Sequence, residues 1–147
     1  MTNNEFKIQL ERRTVEFSVA VIKMLRKIPG GLESKNIREQ VMRSATAVGA
    51  NYREANRAES SADFVHKIGV VAKECSESEY WITLLHELYP AIPEVAPVLN
   101  EAAELTRVFD KIRRTMIERS KTRQLANLST RQLGNLPTGR KSRQLPS

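Results

Sequence analysis

The chain has 147 residues with only 5% aromatic residues and few glycines and prolines, which predicts one all-α domain with a sizeable core and argues against a β-sheet protein. Its formal net charge is +7, but residues 1–119 hold 18 of the 24 basic residues and all 17 acidic ones, a net charge of +1. The high isoelectric point therefore comes from the C-terminal segment, and the nearly neutral body has no nucleic-acid signature in its charge alone.

The composition also bears on the compartment. A single cysteine, Cys75, excludes an internal disulfide, and the N-terminal residues lack the apolar core of a signal peptide. No stretch approaches the roughly 20 apolar residues of a membrane span. We therefore expect a soluble cytoplasmic protein with no membrane partner.

A first helix is predicted from about Glu5 to Lys27. Apolar or small side chains recur at spacings of four and three, as in helix bundles. They are Leu10, Thr14, Phe17, Val21, Met24 and Ile28. Pro29, Gly30 and Gly31 should end the helix, because proline cannot continue one and glycine suits the position after its last turn.

A second helix is predicted from Ser34, its expected N-cap, to Arg57. One arc of this helix is apolar or small and should be buried: Ile37, Val41, Ser44, Ala45, Val48, Tyr52 and Ala55. The opposite arc is basic: Lys35, Arg38, Arg43, Arg53 and Arg57. Thr46, Gly49 and Ala50 lie between the arginines, so another surface could approach this basic arc closely.

The third helix should begin after Ser60, which forms a capping-box pattern with Asp63. Its seam contains Phe64, Ile68, Val71, Cys75, Ser78, Ile82 and Leu85. Tyr80 and Trp81 lie beside this seam, so we interpret them as contacts to a second helix or as interface residues. The three prolines between Tyr89 and Pro97 then predict a turn.

The fourth helix is predicted from about Pro97 to Arg119. Its seam contains Val98, Ala102, Leu105, Phe109, Ile112 and Met116. Four amphipathic helices with short connections predict an antiparallel up-down-up-down four-helix bundle over residues 1–119.

Residues 120–147 differ from the rest of the chain. TRQLANLS is followed eight residues later by TRQLGNLP, and a period of eight sustains no helical seam, so we expect a disordered low-complexity tail. The segment has no acidic residue and six basic ones: Lys121, Arg123, Arg131, Arg140, Lys141 and Arg143. It is either a basic arm that binds nucleic-acid phosphates or a duplicated, solvated tail without a role.

Two blocks of the sequence resemble a known family. The blocks are RSA-x5-NYREA-x-RAES-x2-DF, from Arg43 to Phe64, and KE-x-SE-x-EYW, from Lys73 to Trp81. Together with the fourth helix they resemble the four-helix-bundle family of 23S rRNA intervening-sequence proteins, over Phe6 to about Arg119. The tail has no counterpart in this pattern.

The resemblance implies an assembly as well as a fold. The family is similar in fold to the accessory proteins of diversity-generating retroelements, which form barrel-like pentamers and bind nucleic acid and a reverse transcriptase. It therefore implies a homo-oligomer, with a pentamer as the expected form. The family's characteristic residues correspond here to Arg43, Asn51, Glu54, Arg57, Ser61, Asp63, Phe64, Lys73, Glu74, Glu77, Tyr80 and Trp81.

Three of these positions suggest a polar network at the bundle seam. Asn51 and Glu54 are three residues apart at the edge of the buried arc, and Glu77 belongs to the third helix. Carboxylates at a seam need partners, so structural pairing is one interpretation and a binding or catalytic role is the other.

No set of residues indicates catalysis, so we expect a protein that is not an enzyme and has no cofactor or metal. Asp63 and His66 form a single D-x-x-H pair, whereas di-iron bundles use two such motifs and further carboxylates. His86 lies roughly 30 Å further along the same helix. Cys75 lies on the apolar seam, which indicates an inert thiol.

Two hypotheses for function remain open. In the first, Arg38, Arg43, Arg53, Arg57 and the tail bases contact the phosphates of RNA or DNA, with low selectivity because no aromatic residue interleaves with the arginines. In the second, the protein is an interaction scaffold whose arginine arc meets another subunit or a partner protein. Its arginines would then pair with acids on a neighbouring third helix: Glu74, Glu77, Glu79 and Glu87.

Overall fold

A computed structural model describes residues 1–137, 139 and 146 of the chain. It contains four α-helices, and no described residue lies in a strand. The helices are α1 (Asn3–Leu25), α2 (Leu32–Ala55), α3 (Ser61–Leu88) and α4 (Val95–Gly134). They belong to two compact units, Met1–Met116 and Ile117–Ser147, and α4 contributes residues to both.

The helix starts show which side-chain caps form. Thr2 caps α1 with a full capping box, in which its hydroxyl accepts from the Glu5 amide (3.1 Å) and the Glu5 carboxylate accepts from the Thr2 amide (2.7 Å). Ser60 caps α3 as predicted, accepting from the Asp63 amide at 3.1 Å. Such caps contribute about 1 kcal/mol each.

Ser34 is not the N-cap of α2, and that prediction was wrong. The helix begins three residues earlier, after Gly31. Ser34 is buried inside the first turn, and its hydroxyl donates to the carbonyl oxygens of Pro29 (2.8 Å) and Gly31 (3.2 Å). The side chain therefore stabilises the turn between α1 and α2 rather than the free amides of the helix.

Helix α4 extends 15 residues beyond its predicted end at Arg119. The chain from Val98 to Leu133 contains neither glycine nor proline, and the helix ends at Gly134, three residues before Pro137. The segment 120–134 is therefore helical, although every residue in it is exposed. Residues 138, 140–145 and 147, which the predicted disordered tail includes, lie outside the described residues.

In the contacts between consecutive helices, residue numbers rise along one helix while they fall along the other, as the predicted antiparallel bundle requires. Between α1 and α2, Thr14 lies against Gly49, and the Ser18 hydroxyl donates to the Ala45 carbonyl (3.3 Å). Between α3 and α4, Arg113 lies against Gly69 and Thr106 donates to Glu79 (3.3 Å). The predicted all-α, four-helix fold is confirmed.

Gly49 has a different role from the one predicted. A Cβ atom at this position would come within 3.0 Å of the Thr14 hydroxyl oxygen, so the glycine permits the close approach of α1 to α2. It faces the neighbouring helix and does not keep the basic arc open.

The core is formed by the predicted seams. Phe17, Val48, Ile68 and Phe109 are all at most 1% exposed, and the ring of Tyr52 meets that of Phe109 edge-on at a centroid distance of 5.1 Å. The hydroxyls of Ser44 and Ser78 satisfy one another across α2 and α3 at 2.9 Å. The bundle thus has an apolar interior, and the side chains of its four buried polar residues, Thr14, Ser34, Ser44 and Ser78, are hydrogen-bonded.

Candidate nucleic-acid interface

The basic arc of α2 divides into two groups. Lys35 and Arg38 lie in the first turns of the helix, whereas Arg53 lies in its last turn and Arg57 follows the C-cap residue Asn56, beyond the helix end at Ala55. Arg38 and Arg53 are 15 residues apart, about 22 Å along a helix. The arginines predicted to act together therefore do not form one continuous patch.

Arg53 and Arg57 are exposed, and neither takes part in an ion pair within the described part of the chain. The Arg57 amide bonds to the Glu54 carbonyl oxygen (3.0 Å), which continues the last turn of α2 and keeps both arginines on the helix end. Arg12 and Arg107, by contrast, pair with Glu16 and Glu104. Arg53 and Arg57 thus have charge available for an external anion.

Arg43 is engaged within the protein, unlike the arginines at the end of α2. Its guanidinium lies 3.4 Å from the Glu74 carboxylate and forms a second, closer ion pair with Glu77, both on α3. The hydrogen bond from Arg43 lowers the pKa of Glu77 below its ordinary value, and the same bond raises the pKa of Arg43. Arg43 therefore ties α2 to α3, and a phosphate at this residue would compete with the two carboxylates.

The same pairing corrects one part of the scaffold hypothesis. Glu74 and Glu77 were expected to meet arginines of another subunit, but they meet Arg43 of the same chain because α2 and α3 are neighbours. Glu79 accepts a hydrogen bond from Thr106 of α4. These acids thus stabilise the bundle itself.

The network of Asn51, Glu54 and Glu77 does not form. The Asn51 amide donates to the Ala47 carbonyl oxygen of its own helix (2.8 Å), and Glu54 is exposed. Glu77 lies level with Arg43, and Asn51 is eight residues further along α2, about 12 Å away along the axis. The register of α2 against α3 keeps the three side chains apart.

Tyr80 and Trp81 form a partly exposed aromatic pair on α3. Their rings meet edge-on at 5.0 Å, and the Trp81 indole donates to Glu77 at 3.2 Å. Tyr80 is 57% exposed and Leu88, two turns further on, is 50% exposed, with half-buried Leu84 between them. We call Tyr80, Trp81, Leu84 and Leu88 the α3 stripe. An aromatic pair on a partly exposed apolar stripe suits a protein interface.

The unit Ile117–Ser147 carries the remaining predicted contacts. Lys121, Arg123 and Arg131 are exposed on α4, and Glu118 is the one acidic residue between 117 and 134. Leu125 and Leu128 on the same stretch are also exposed. Arg140, Lys141 and Arg143 lie outside the described residues.

The residues considered for chemistry are placed as follows. Cys75 is fully buried, and burial raises the pKa of its thiol. Asp63 pairs with Lys67 at 3.1 Å, while His66 is exposed. Among the described residues no group of three acidic, histidine or cysteine side chains is arranged to hold a metal ion, and none of the helices is both long and apolar enough to cross a membrane.

Comparison with known proteins gives the family. The family model described as 23S rRNA-intervening sequence protein matches residues 7–111. No curated protein matches the chain. A crystal structure of a protein of unknown function from the S23 ribosomal protein family of Bacteroides thetaiotaomicron is similar, with 30% identity and a TM-score of 0.60 over 70% of this chain and 96% of that one. The resemblance seen in the sequence is confirmed, and this chain belongs to the 23S rRNA-intervening sequence protein family.

Proposed function

We propose that this protein is a non-enzymatic helical bundle that binds the phosphate backbone of RNA or DNA with little sequence selectivity. The observation that carries the proposal is the exposed basic stretch of α4 in the unit Ile117–Ser147. The helical part of this unit contains four basic residues and one acidic residue, Glu118. The four basic residues are all exposed: Arg119, Lys121, Arg123 and Arg131. Such a stretch gains affinity by releasing the counterions of a polyanion.

Arg53 and Arg57 supply a second group of contacts on the bundle. Both are exposed without an acidic partner among the described residues, so an approaching phosphate does not have to displace a carboxylate. The adjacent aromatic residue, Tyr52, is buried against Phe109 and is not available to stack on a base. Phosphate contacts without stacking give affinity with little sequence discrimination.

Reversing the charge of Arg53 and Arg57 tests this group. The double variant Arg53→Glu, Arg57→Glu should flatten the slope of log affinity against log salt by roughly 2 units, because two phosphate contacts are lost. The slope is measured by fluorescence anisotropy with a labelled single-stranded RNA.

The matched control is Arg12→Glu, Arg107→Glu, which changes the net charge equally at two arginines that already hold ion pairs. This control should lower the affinity for RNA only through the change in the net charge of the protein, and it should leave the slope of log affinity against log salt nearly unchanged. Equal flattening in both double variants would show that net charge, and not this site, governs binding.

A second candidate function, a protein-interaction scaffold, is favoured by the α3 stripe. Aromatic and leucine side chains exposed in one row are typical of subunit contacts. We therefore propose that the protein forms a homo-oligomer larger than a dimer, with the pentamer implied by the family resemblance as the expected form. The same stripe could instead bind a different protein.

Sedimentation velocity at tens of micromolar, where interfaces of ordinary affinity persist, tests the assembly. Wild-type protein should sediment as an oligomer, and Tyr80→Glu should shift it to smaller species because a charge is placed in the contact. Leu32→Glu, at a residue that is 91% exposed at the start of α2, is the control and should sediment as the wild type does. A monomeric wild type would contradict the assembly.

A further inference from the structure

A groove lies between the C-terminal end of α1 and the first turns of α2. Its basic lining is Arg26, Lys35 and Arg38, and its apolar lining is Ile22, Leu25 and Met42. The groove is open to solvent and has a volume of about 790 Å³. It combines a cationic rim with an apolar surface in one concave site.

The charge of this groove is not balanced by the protein. Neither Arg26, Lys35 nor Arg38 forms an ion pair within the described residues, and Glu39 is the one acid among the lining side chains. Arg43 also lines the groove, but its guanidinium is paired with Glu74 and Glu77. An excess of two positive charges therefore remains, and a concave site concentrates their field on an anion.

The apolar lining determines the class of anion. Ile22 is half-buried and Met42 is 38% exposed, so these two side chains offer aliphatic surface next to the cations of the groove. Inorganic phosphate alone would leave this surface unused. A nucleotide has both a phosphate and a flat ring whose faces pack on aliphatic side chains.

We infer that this groove binds a nucleotide, with its phosphate at Arg26, Lys35 and Arg38 and its base against Ile22 and Met42. The nucleotide is either free in solution or the terminal nucleotide of a strand. The inference goes beyond the backbone contacts proposed above, because Arg38 lies about 22 Å along α2 from Arg53.

Calorimetric titration of the full chain with adenosine monophosphate tests the cationic part. Arg38→Gln should weaken binding about tenfold or more, as expected for a lost charge-assisted hydrogen bond. Lys27→Gln is the matched control, since Lys27 is exposed next to Arg26 but does not line the groove, and its affinity should stay within about twofold of wild type. Thermal melting of each variant verifies that the fold is kept.

Met42→Ala tests the apolar part without changing any charge. It should weaken adenosine monophosphate several-fold and leave the binding of inorganic phosphate unchanged, because only the base contact is lost. Leu32→Ala, outside the groove, should alter neither. A several-fold loss for inorganic phosphate as well would contradict the placement of the base on Met42.

Two oligonucleotides, one with a 5′-phosphate and one with a 5′-hydroxyl, distinguish the sources of the nucleotide. A strand-end ligand predicts tighter binding of the phosphorylated strand, with the difference lost in Arg38→Gln; a free-nucleotide ligand predicts equal binding of both strands.

The inference is overturned if no binding of adenosine monophosphate is detected at concentrations up to about 1 mM, which would exclude even a weak site. It is also overturned if Lys27→Gln loses as much affinity as Arg38→Gln. RNA binding that persists in that case would leave the proposed function intact. Conversely, Arg53→Glu, Arg57→Glu should bind adenosine monophosphate as the wild type does, which keeps the two sites separable.

Discussion

Removal of Ser120–Ser147 is expected to abolish most of the affinity of the protein for RNA and DNA. The deleted segment carries six basic residues and no acid, and the remaining residues 1–119 have a formal net charge of +1. Each lost phosphate contact flattens the dependence of log affinity on log salt, so six contacts predict a change of about 4 to 5 units. Anisotropy titrations of full-length and truncated protein at several salt concentrations measure the two slopes.

Two full-length variants separate charge from the other properties of the segment. Replacing its six basic residues with glutamine should reproduce the loss, because the backbone and the leucines remain. Replacing the exposed Leu125 and Leu128 with serine should leave the salt slope unchanged. A truncated protein that binds as tightly as the full chain would place the interface within residues 1–119 instead.

Phe109→Ala is expected to lower the free energy of unfolding by about 3 to 5 kcal/mol, which is a large part of the roughly 5 to 15 kcal/mol typical of a domain. The Phe109 ring is completely buried and packs edge-on against Tyr52, so truncation removes apolar contacts and leaves a cavity. Urea unfolding followed by circular dichroism measures the change.

Leu125→Ala is the control for this prediction. Leu125 is 66% exposed in the second unit, so its truncation should change the free energy of unfolding by no more than about 0.5 kcal/mol. A loss below about 1 kcal/mol for Phe109→Ala would mean that the bundle core is not packed as described.

The fold could be predicted because the spacing of apolar residues within each helix indicates which of its side chains are buried. Phe17 and Phe109 lie on seams with four-three spacing, and a side chain on such a seam has to be buried whichever helix it meets. Ser34 was misplaced because a serine near a helix start can either accept from a free amide or donate to a preceding carbonyl. Only the backbone path of the turn after Pro29 decides between the two.

The length of α4 was misjudged for a different reason. A period of eight rules out a packed seam, and residues 120–134 are indeed exposed. A helix that is already formed can nevertheless continue through such a segment where no glycine or proline interrupts it, because each added residue extends an existing helix. Gly134 is the first glycine or proline after Pro97. In residues 120–134 the backbone is therefore helical although no side chain is buried.

The site was harder to predict because it depends on which helices are neighbours and on their register. Arg43 pairs with Glu74 and Glu77 because α2 and α3 are neighbours, and neither the adjacency nor the register of two helices follows from the pattern of either one. Arg26 was not recognised at all, since it belongs to α1. The position of Arg26 just before the Pro29-Gly30-Gly31 turn could have indicated its role. This turn reverses the chain, so that the first turns of α2 lie beside the end of α1.

The central claim, binding of nucleic-acid backbones by exposed basic residues, is tested most directly by the salt dependence of full-length protein binding to RNA and DNA of several sequences. Six contacts from residues 120–147 together with Arg53 and Arg57 predict a linear fall of log affinity with log salt, of slope about −6 to −7, that differs little between sequences. Absence of salt-dependent binding to either nucleic acid at low ionic strength would contradict the claim and leave the scaffold function alone.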